Sequence, residues 1–210
     1  MKLKVVYTFC LLFFINSFLN AQVKLSDSEA KSLKGKVVEK SKKTTSIISN
    51  FIQSKHLSFL SKDIISKGEL VFKSPNLIKW SYVTPFKYSV IFKENKLFVN
   101  DDGTKSDIDI SSNKVFKELN NLIVSSVKGD MFDDDKFNIK YYKSGKDYLV
   151  VFDAKDDSVK SFINTFELTF DSNSYNVLKV KMVESSEDYT LIEFKNHQIN
   201  KPIRDEVFVN

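Results

Sequence analysis

Cysteine is nearly missing from this chain. The one present, Cys10, lies inside an N-terminal apolar run, so the remainder can hold no disulfide framework and no thiol nucleophile. Proline (three) and glycine (five) are scarce. No linker, low-complexity tract or internal repeat breaks the chain, and a single domain over 22–210 is expected. Histidine occurs twice, at His56 and His197, in separate segments with no carboxylate or cysteine at ligand spacing, so no metal site is expected. No G-x-S-x-G elbow, phosphate-cradling glycine loop or dinucleotide fingerprint is present, and nothing singles out a catalytic pair of carboxylates. The acidic cluster Asp130, Asp133, Asp134 and Asp135 lacks the alternating oxygen ligands and internal glycine of a calcium loop and reads as a solvated turn. No enzyme and no cofactor are expected.

Long hydrophobic runs are also lacking. The one apolar stretch, Val5–Phe18, is shorter than the ~20 residues that a bilayer-spanning helix needs. Lys2 and Lys4 precede it and Ala21 follows, which is the layout of a cleaved secretory signal over 1–21. Cys10 sits mid-run rather than at its end, so it is not placed for lipid attachment. The chain carries 32 Lys+Arg and 27 Asp+Glu. Without Lys2 and Lys4 the excess falls to three, interspersed along the chain, which argues against nucleic acid as a partner.

What is abundant is phenylalanine, 19 residues, with eight tyrosines. That content fits both a filled aromatic core and an aromatic-lined cavity. Its arrangement has two periods. Ser26-Asp27-Ser28-Glu29 has the form of a capping box, with Leu25 and Ala30 at the staple positions. Ala30, Leu33, Val37 and Val38 then follow helical spacing, which predicts an amphipathic helix over 27–43, weakened by Gly35. Its lysines (Lys34, Lys36, Lys40, Lys42, Lys43) are expected on the solvent side. From Ile47 to Asp109 the period becomes two. Leu70 and Phe72, then Ile78, Trp80 and Tyr82, then Phe86, Tyr88, Val90 and Phe92 each share one face of a strand. Breaks are expected at Lys67-Gly68, Ser74-Pro75-Asn76, Thr84-Pro85, Lys93-Glu94-Asn95 and Asp101-Asp102-Gly103. Residues 111–128 return to helical spacing through Val115, Phe116, Leu119, Leu122, Ile123 and Val127. Strands are expected again at 136–143, 147–154, 161–171, 175–184 and 187–196, with a short one near 206–209. The sum is ten or eleven strands in one meander with two amphipathic helices over its apolar face.

The segment Gly68–Val99, GELVFKSPNLIKWSYVTPFKYSVIFKENKLFV, resembles the LolA family of periplasmic lipoprotein carriers in its Ser74-Pro75-Asn76-Leu77-Ile78-Lys79-Trp80 corner and in Pro85. Phe51-Ile52-Gln53 is similar to the family's first strand, and Asn196, Asn200 and Val207-Phe208 to its ending. The resemblance implies an α+β fold: an incomplete antiparallel β-barrel of about 11 strands whose concave apolar face is covered by helices. It implies a periplasmic monomer that shields the acyl chains of lipoproteins, received from an inner-membrane lipoprotein-releasing transporter and delivered to an outer-membrane acceptor. The acyl-binding set is expected to be Phe51, Leu70, Phe72, Ile78, Trp80, Tyr82, Tyr88, Val90 and Phe92, with Phe116, Leu119 and Ile123 on a lid. The family places an arginine before the first proline to latch the lid. Here that position is Ser74, beside Lys73, and neither supplies a guanidinium's forked contacts. A LolA-like protein with other lipid cargo, or one that senses lipoproteins, is the alternative.

Overall fold

The chain is described by a computed structural model covering residues 22–93, 96–110, 131–161, 163–184, 186 and 188–209. The helix expected over 27–43 is present as α1 (Asp27–Lys42). Its capping box forms as the sequence dictates: the Glu29 backbone N–H donates to the Ser26 hydroxyl, and the Glu29 carboxylate accepts from the Ser26 backbone N–H at 2.9 Å. Leu33 and Val37 are its buried stripe. The helix expected over 111–128, with Phe116, Leu119 and Ile123, lies outside the described residues.

One antiparallel sheet of 12 strands carries the fold. Its members are β1 (Gln22–Lys24), β2 (Ser46–His56), β3 (Ile64–Lys73), β4 (Leu77–Thr84), β5 (Tyr88–Lys93), β6 (Lys96–Asp101), β7 (Thr104–Asp109), β8 (Phe137–Ser144), β9 (Asp147–Ala154), β10 (Thr165–Phe170), β11 (Val177–Val183) and β12 (Tyr189–Ile199). The order β1-β8-β9-β10-β11-β12-β2-β3-β4-β5-β6-β7 corrects the single meander expected from the sequence. Two meanders, β2–β7 and β8–β12, join where β12 pairs with β2, and β1 is added outside β8. The edges β1 and β7 do not meet, so the curved sheet is an unclosed barrel.

Alternation sorts the side chains. Phe51, Leu70, Phe72, Ile78, Trp80, Phe92, Leu97, Phe152, Leu168 and Ile192 join Leu33 and Val37 of α1 in one concave core. On the convex side Val71 and Ile91 are covered by Ile203, Val207 and Phe208. Residues 205–208 are therefore a 3₁₀ turn lying across the sheet, not the strand expected near 206–209. Lys73 holds this strap by donating to the Ile203 carbonyl at 2.8 Å and pairing with Asp205, and Lys79 donates to the Val207 carbonyl at 3.1 Å.

Three further expectations are corrected. Lys67-Gly68 is no turn: β3 runs through it, with a register shift against β4 at that point. A Cβ on Gly68 would stand 2.1 Å from the Ser81 carbonyl oxygen and 2.6 Å from the Phe51 ring, so only glycine fits this bulge. Phe86 lies in a bend before β5 and is exposed. A single helical turn at Asp157–Lys160 precedes β10, which starts at Thr165 rather than 161. Asp102-Gly103 does turn as expected, with both residues at positive φ, the twist that suits a two-residue hairpin.

The two glycines predict opposite outcomes. A methyl at Gly35 meets nothing within 4 Å, so Gly35→Ala should stabilise by about 0.5–1 kcal/mol through helix propensity. Gly68→Ala should cost about 3 kcal/mol or more, because backbone and a buried ring must both move. Denaturant unfolding of both variants reads the two signs.

Candidate functional site

The concave core is not completely filled. Between α1 and the sheet lies a cavity of about 100 Å³, with Val37, Leu70, Trp80, Met182, Phe194 and His197 in its wall. A larger one of about 480 Å³ lies on the β4–β6 side, walled by Trp80, Tyr82, Tyr88, Val90, Phe92 and Leu97. Trp80, Met182 and Ile192 belong to both walls, so the two are neighbours separated by the indole. The larger volume falls in the range of small-molecule sites, roughly 300–1,000 Å³.

The sequence-expected set divides into two layers. Leu70, Trp80, Tyr82, Tyr88, Val90 and Phe92 line one or both cavities. Phe51, Phe72 and Ile78 line neither; they are fully buried beneath, Ile78 at 0 % exposure. Phe51 is the support. Its ring meets Trp80 and Tyr82 edge-on, each at 5.0 Å, and so fixes both cavity walls. The Tyr82 hydroxyl donates to the Gln53 side chain at 3.0 Å. Burial pushes that hydroxyl up from its ordinary value, with Tyr88 adding to the effect, so the wall stays uncharged.

The description of the LolA model, an outer membrane lipoprotein carrier protein, matches residues 42–210. The chain belongs to the LolA family. No curated protein matches it significantly. Among solved structures, an uncharacterised conserved protein from Thermus thermophilus superposes with TM-score 0.53 at 6% identity, covering 86% of this chain and 92% of that one. A LolA superfamily protein from Nitrosomonas europaea gives 0.47 at 9%, covering 86% and 97%. The lipoprotein LppX of Mycobacterium tuberculosis gives 0.46 at 10%, covering 85% and 99%. At such identity the first of these likenesses shows the fold alone.

The resemblance expects a latch at Ser74. Ser74 is exposed in the corner turn, its backbone N–H donating to the Thr45 carbonyl at 2.9 Å. Lys73 is committed to the strap on the other face. What holds α1 is different. Lys34 pairs with Asp134 at 3.2 Å, Lys36 lies 5.4 Å above the Tyr175 ring, and Lys40 borders the small cavity. Lys34 and Lys36 thus make contacts at the margin of the helix, Lys36 remaining exposed as expected. Asn200, in the left-handed region at φ 58°, accepts from the Thr45 backbone N–H at 2.8 Å and donates to the Lys43 carbonyl at 3.0 Å, tying the helix exit to the end of β12.

Sequence reasoning missed His197 in the wall of the smaller cavity, and the unpaired ring nitrogens there. Trp80 Nε1 and His197 Nε2 are buried with no hydrogen-bond partner among the described residues. Orphan polar atoms of this kind are rare in folded proteins. No grouping of three metal-ligating side chains occurs among the described residues, and His56 is engaged by Asp63 at 2.9 Å.

Burial, opposed by Asp171, pushes the His197 imidazole below its ordinary value of 6.5. The folded protein therefore favours the neutral ring, and the unfolded chain binds the proton more readily. This contribution to stability is intact above about pH 6.5 and is lost as pH falls below it. Tm measured from about pH 7.5 down to about pH 5 should drop more for the wild type than for His197→Gln. Parallel curves would show that the ring is neutral or charged alike in both states.

Proposed function

We propose that this LolA family protein shelters the acyl chains of lipoproteins in the two cavities beside Trp80. In this reading it collects them from an inner-membrane releasing transporter and carries them through the periplasm to the outer membrane. The observation that carries the reading is the unfilled, aromatic-walled space on the concave face, in a sheet whose convex face carries its own C-terminal strap over Val71 and Ile91. Such a carrier has no bond to break. An acyl chain of about 15 methylenes leaves water with about 12 kcal/mol in its favour, in a bilayer and in an apolar cavity alike. Transfer between the two is then close to balanced, and no catalytic group or cofactor is called for.

A second reading, a LolA-like lipid binder or lipoprotein sensor with other cargo, is favoured by one observation: serine stands where the resemblance expects the latch arginine, and among the described residues the neighbouring Lys73 is engaged by the C-terminal strap.

Two variants test the site. Val90→Glu places a carboxylate in the wall of the larger cavity, where water can reach it. It should fold and lose a fluorescent acyl probe by roughly tenfold or more. Ile78→Glu places the same group at a position with no exposure, and should cost about 3–5 kcal/mol and unfold the domain. A folded Val90→Glu that retains the probe fully would remove the cavity from the site. Mass spectrometry of copurifying material separates the readings: acylated proteins support the first, free lipid the second.

A further inference from the structure

The large apolar side chains that stay exposed are not scattered. Nine occur among the described residues, and six of them, Phe59, Leu60, Ile64, Ile65, Val83 and Phe86, sit at one end of the sheet. Phe59 is 78% exposed and Phe86 77%. Register explains the clustering. Thr84, the last residue of β4, pairs with Lys67, so Ile64, Ile65 and Ser66 of β3 continue past β4 and pair only with Lys55, Ser54 and Gln53 of β2. The β2–β3 hairpin therefore overhangs β4, with Phe59 and Leu60 in its loop. Val83 is the extra residue where the β3–β4 register shifts, and Phe86 is in the neighbouring β4–β5 turn.

This tip is built, not slack. At its neck His56 bonds Asp63 at 2.9 Å and stacks on Tyr189 at 4.8 Å. The Ser58 backbone N–H donates to Asp188 at 2.7 Å, and the Leu60 N–H to the Leu57 carbonyl at 2.8 Å. Those bonds engage two of the end's acidic groups. Lys62, Lys67 and Lys87 are exposed around the patch with no ion-pair partner among the described residues. Asp101 and Asp102 stand at the adjoining turn. The larger cavity reaches this same end: Gln53, Ser66, Thr84, Pro85 and Phe86 are part of its wall.

We infer that the β2–β3 hairpin and the β4–β5 turn dock on a lipid bilayer, with Phe59, Leu60 and Phe86 entering the acyl boundary and Lys62, Lys67 and Lys87 meeting anionic headgroups. The chemistry of the patch selects this occupant. It offers hydrocarbon and ammonium groups, the pairing that interfacial segments use. It lacks the exposed Trp, Tyr and Arg that anchor protein interfaces. Docked in this way, the cavity mouth meets the membrane, and an acyl chain passes between them without crossing water. That passage rests on the carrier reading above; docking itself does not.

The test uses the chain from Gln22 onward and vesicles of phosphatidylethanolamine and phosphatidylglycerol at about 3:1. In flotation, the unmodified chain should rise with the vesicles. Phe59→Ser/Leu60→Ser should reduce binding by roughly tenfold or more, with unchanged Tm and unchanged retention of an acyl probe in solution, since neither residue lines the cavities. Residues 22–210 contain no cysteine, so Phe59→Cys gives a single site for an environment-sensitive fluorophore, whose emission should shift to the blue and rise on vesicle addition. An unmodified chain that ignores the vesicles, a double variant that floats equally well, or a label that never leaves water would each overturn the inference. Vesicle binding without acyl-probe retention in any variant would instead sink the carrier reading and leave the docking edge standing.

Discussion

The Phe51 ring lying on Gly68 is the contact on which the rest of the structure depends. Phe51 and Gly68 are cross-strand partners in β2 and β3, and the missing side chain lets the ring settle against the backbone. From that seat it holds Trp80 and Tyr82 edge-on, and these two make the wall between and around the cavities. The same point carries the register shift against β4. The shift extrudes Val83 and leaves β3 to run on past the end of β4. One close approach thus sets the core, the cavity wall and the overhanging hairpin.

The two faces of the sheet are closed by different means. On the convex face the strap is held by apolar burial of Phe208 on Val71 and Ile91 and by Lys73 and Lys79 reaching its backbone carbonyls. The concave face is covered by α1 through Leu33 and Val37, with Lys34–Asp134 and the Lys36–Tyr175 contact at its margin. Asp134 is well exposed, and exposed pairs of this kind contribute about 0–1 kcal/mol. Among the described residues this helix is held mainly by Leu33 and Val37, with Leu25 and Val38 partly buried beside them and Asn200 clamping its exit. Elements held so lightly are the ones that open first.

Much of this was legible in the sequence because the signals are local. The capping box at Ser26 and the alternation of Ile78, Trp80 and Tyr82 are set within a few residues, and each element appears where its pattern lies. Errors arose where the deciding partner is distant. Gly68 reads as a break until Phe51, seventeen positions earlier, is known to lie on it. Val207-Phe208 alternates like a strand, yet no free edge adjoins it, and burial on Val71 and Ile91 takes precedence over a ladder. Gln22–Lys24 is too short to show a period, and only β8 makes it a strand. Parity placed Ile78 and Trp80 on one face correctly, but it carries no depth. Whether a side chain lines the space or lies under it depends on curvature and on the covering layer.

Depth also decides how cargo would reach the space. The fully buried layer of Phe51, Phe72 and Ile78 closes the floor, and the strap behind it leaves no route through the sheet. A route under α1 meets the narrower cavity, bordered by Lys40, Ser41 and Thr44, whose polar groups an acyl chain would have to pass. The end beside Phe86 and Pro85, where Gln53, Ser66 and Thr84 also stand, opens onto the wider cavity. Width favours that end as the entrance for an acyl chain. Each methylene kept from water there is worth about 0.8 kcal/mol, so even a few exposed methylenes on the other path would outweigh any single hydrogen bond gained along it.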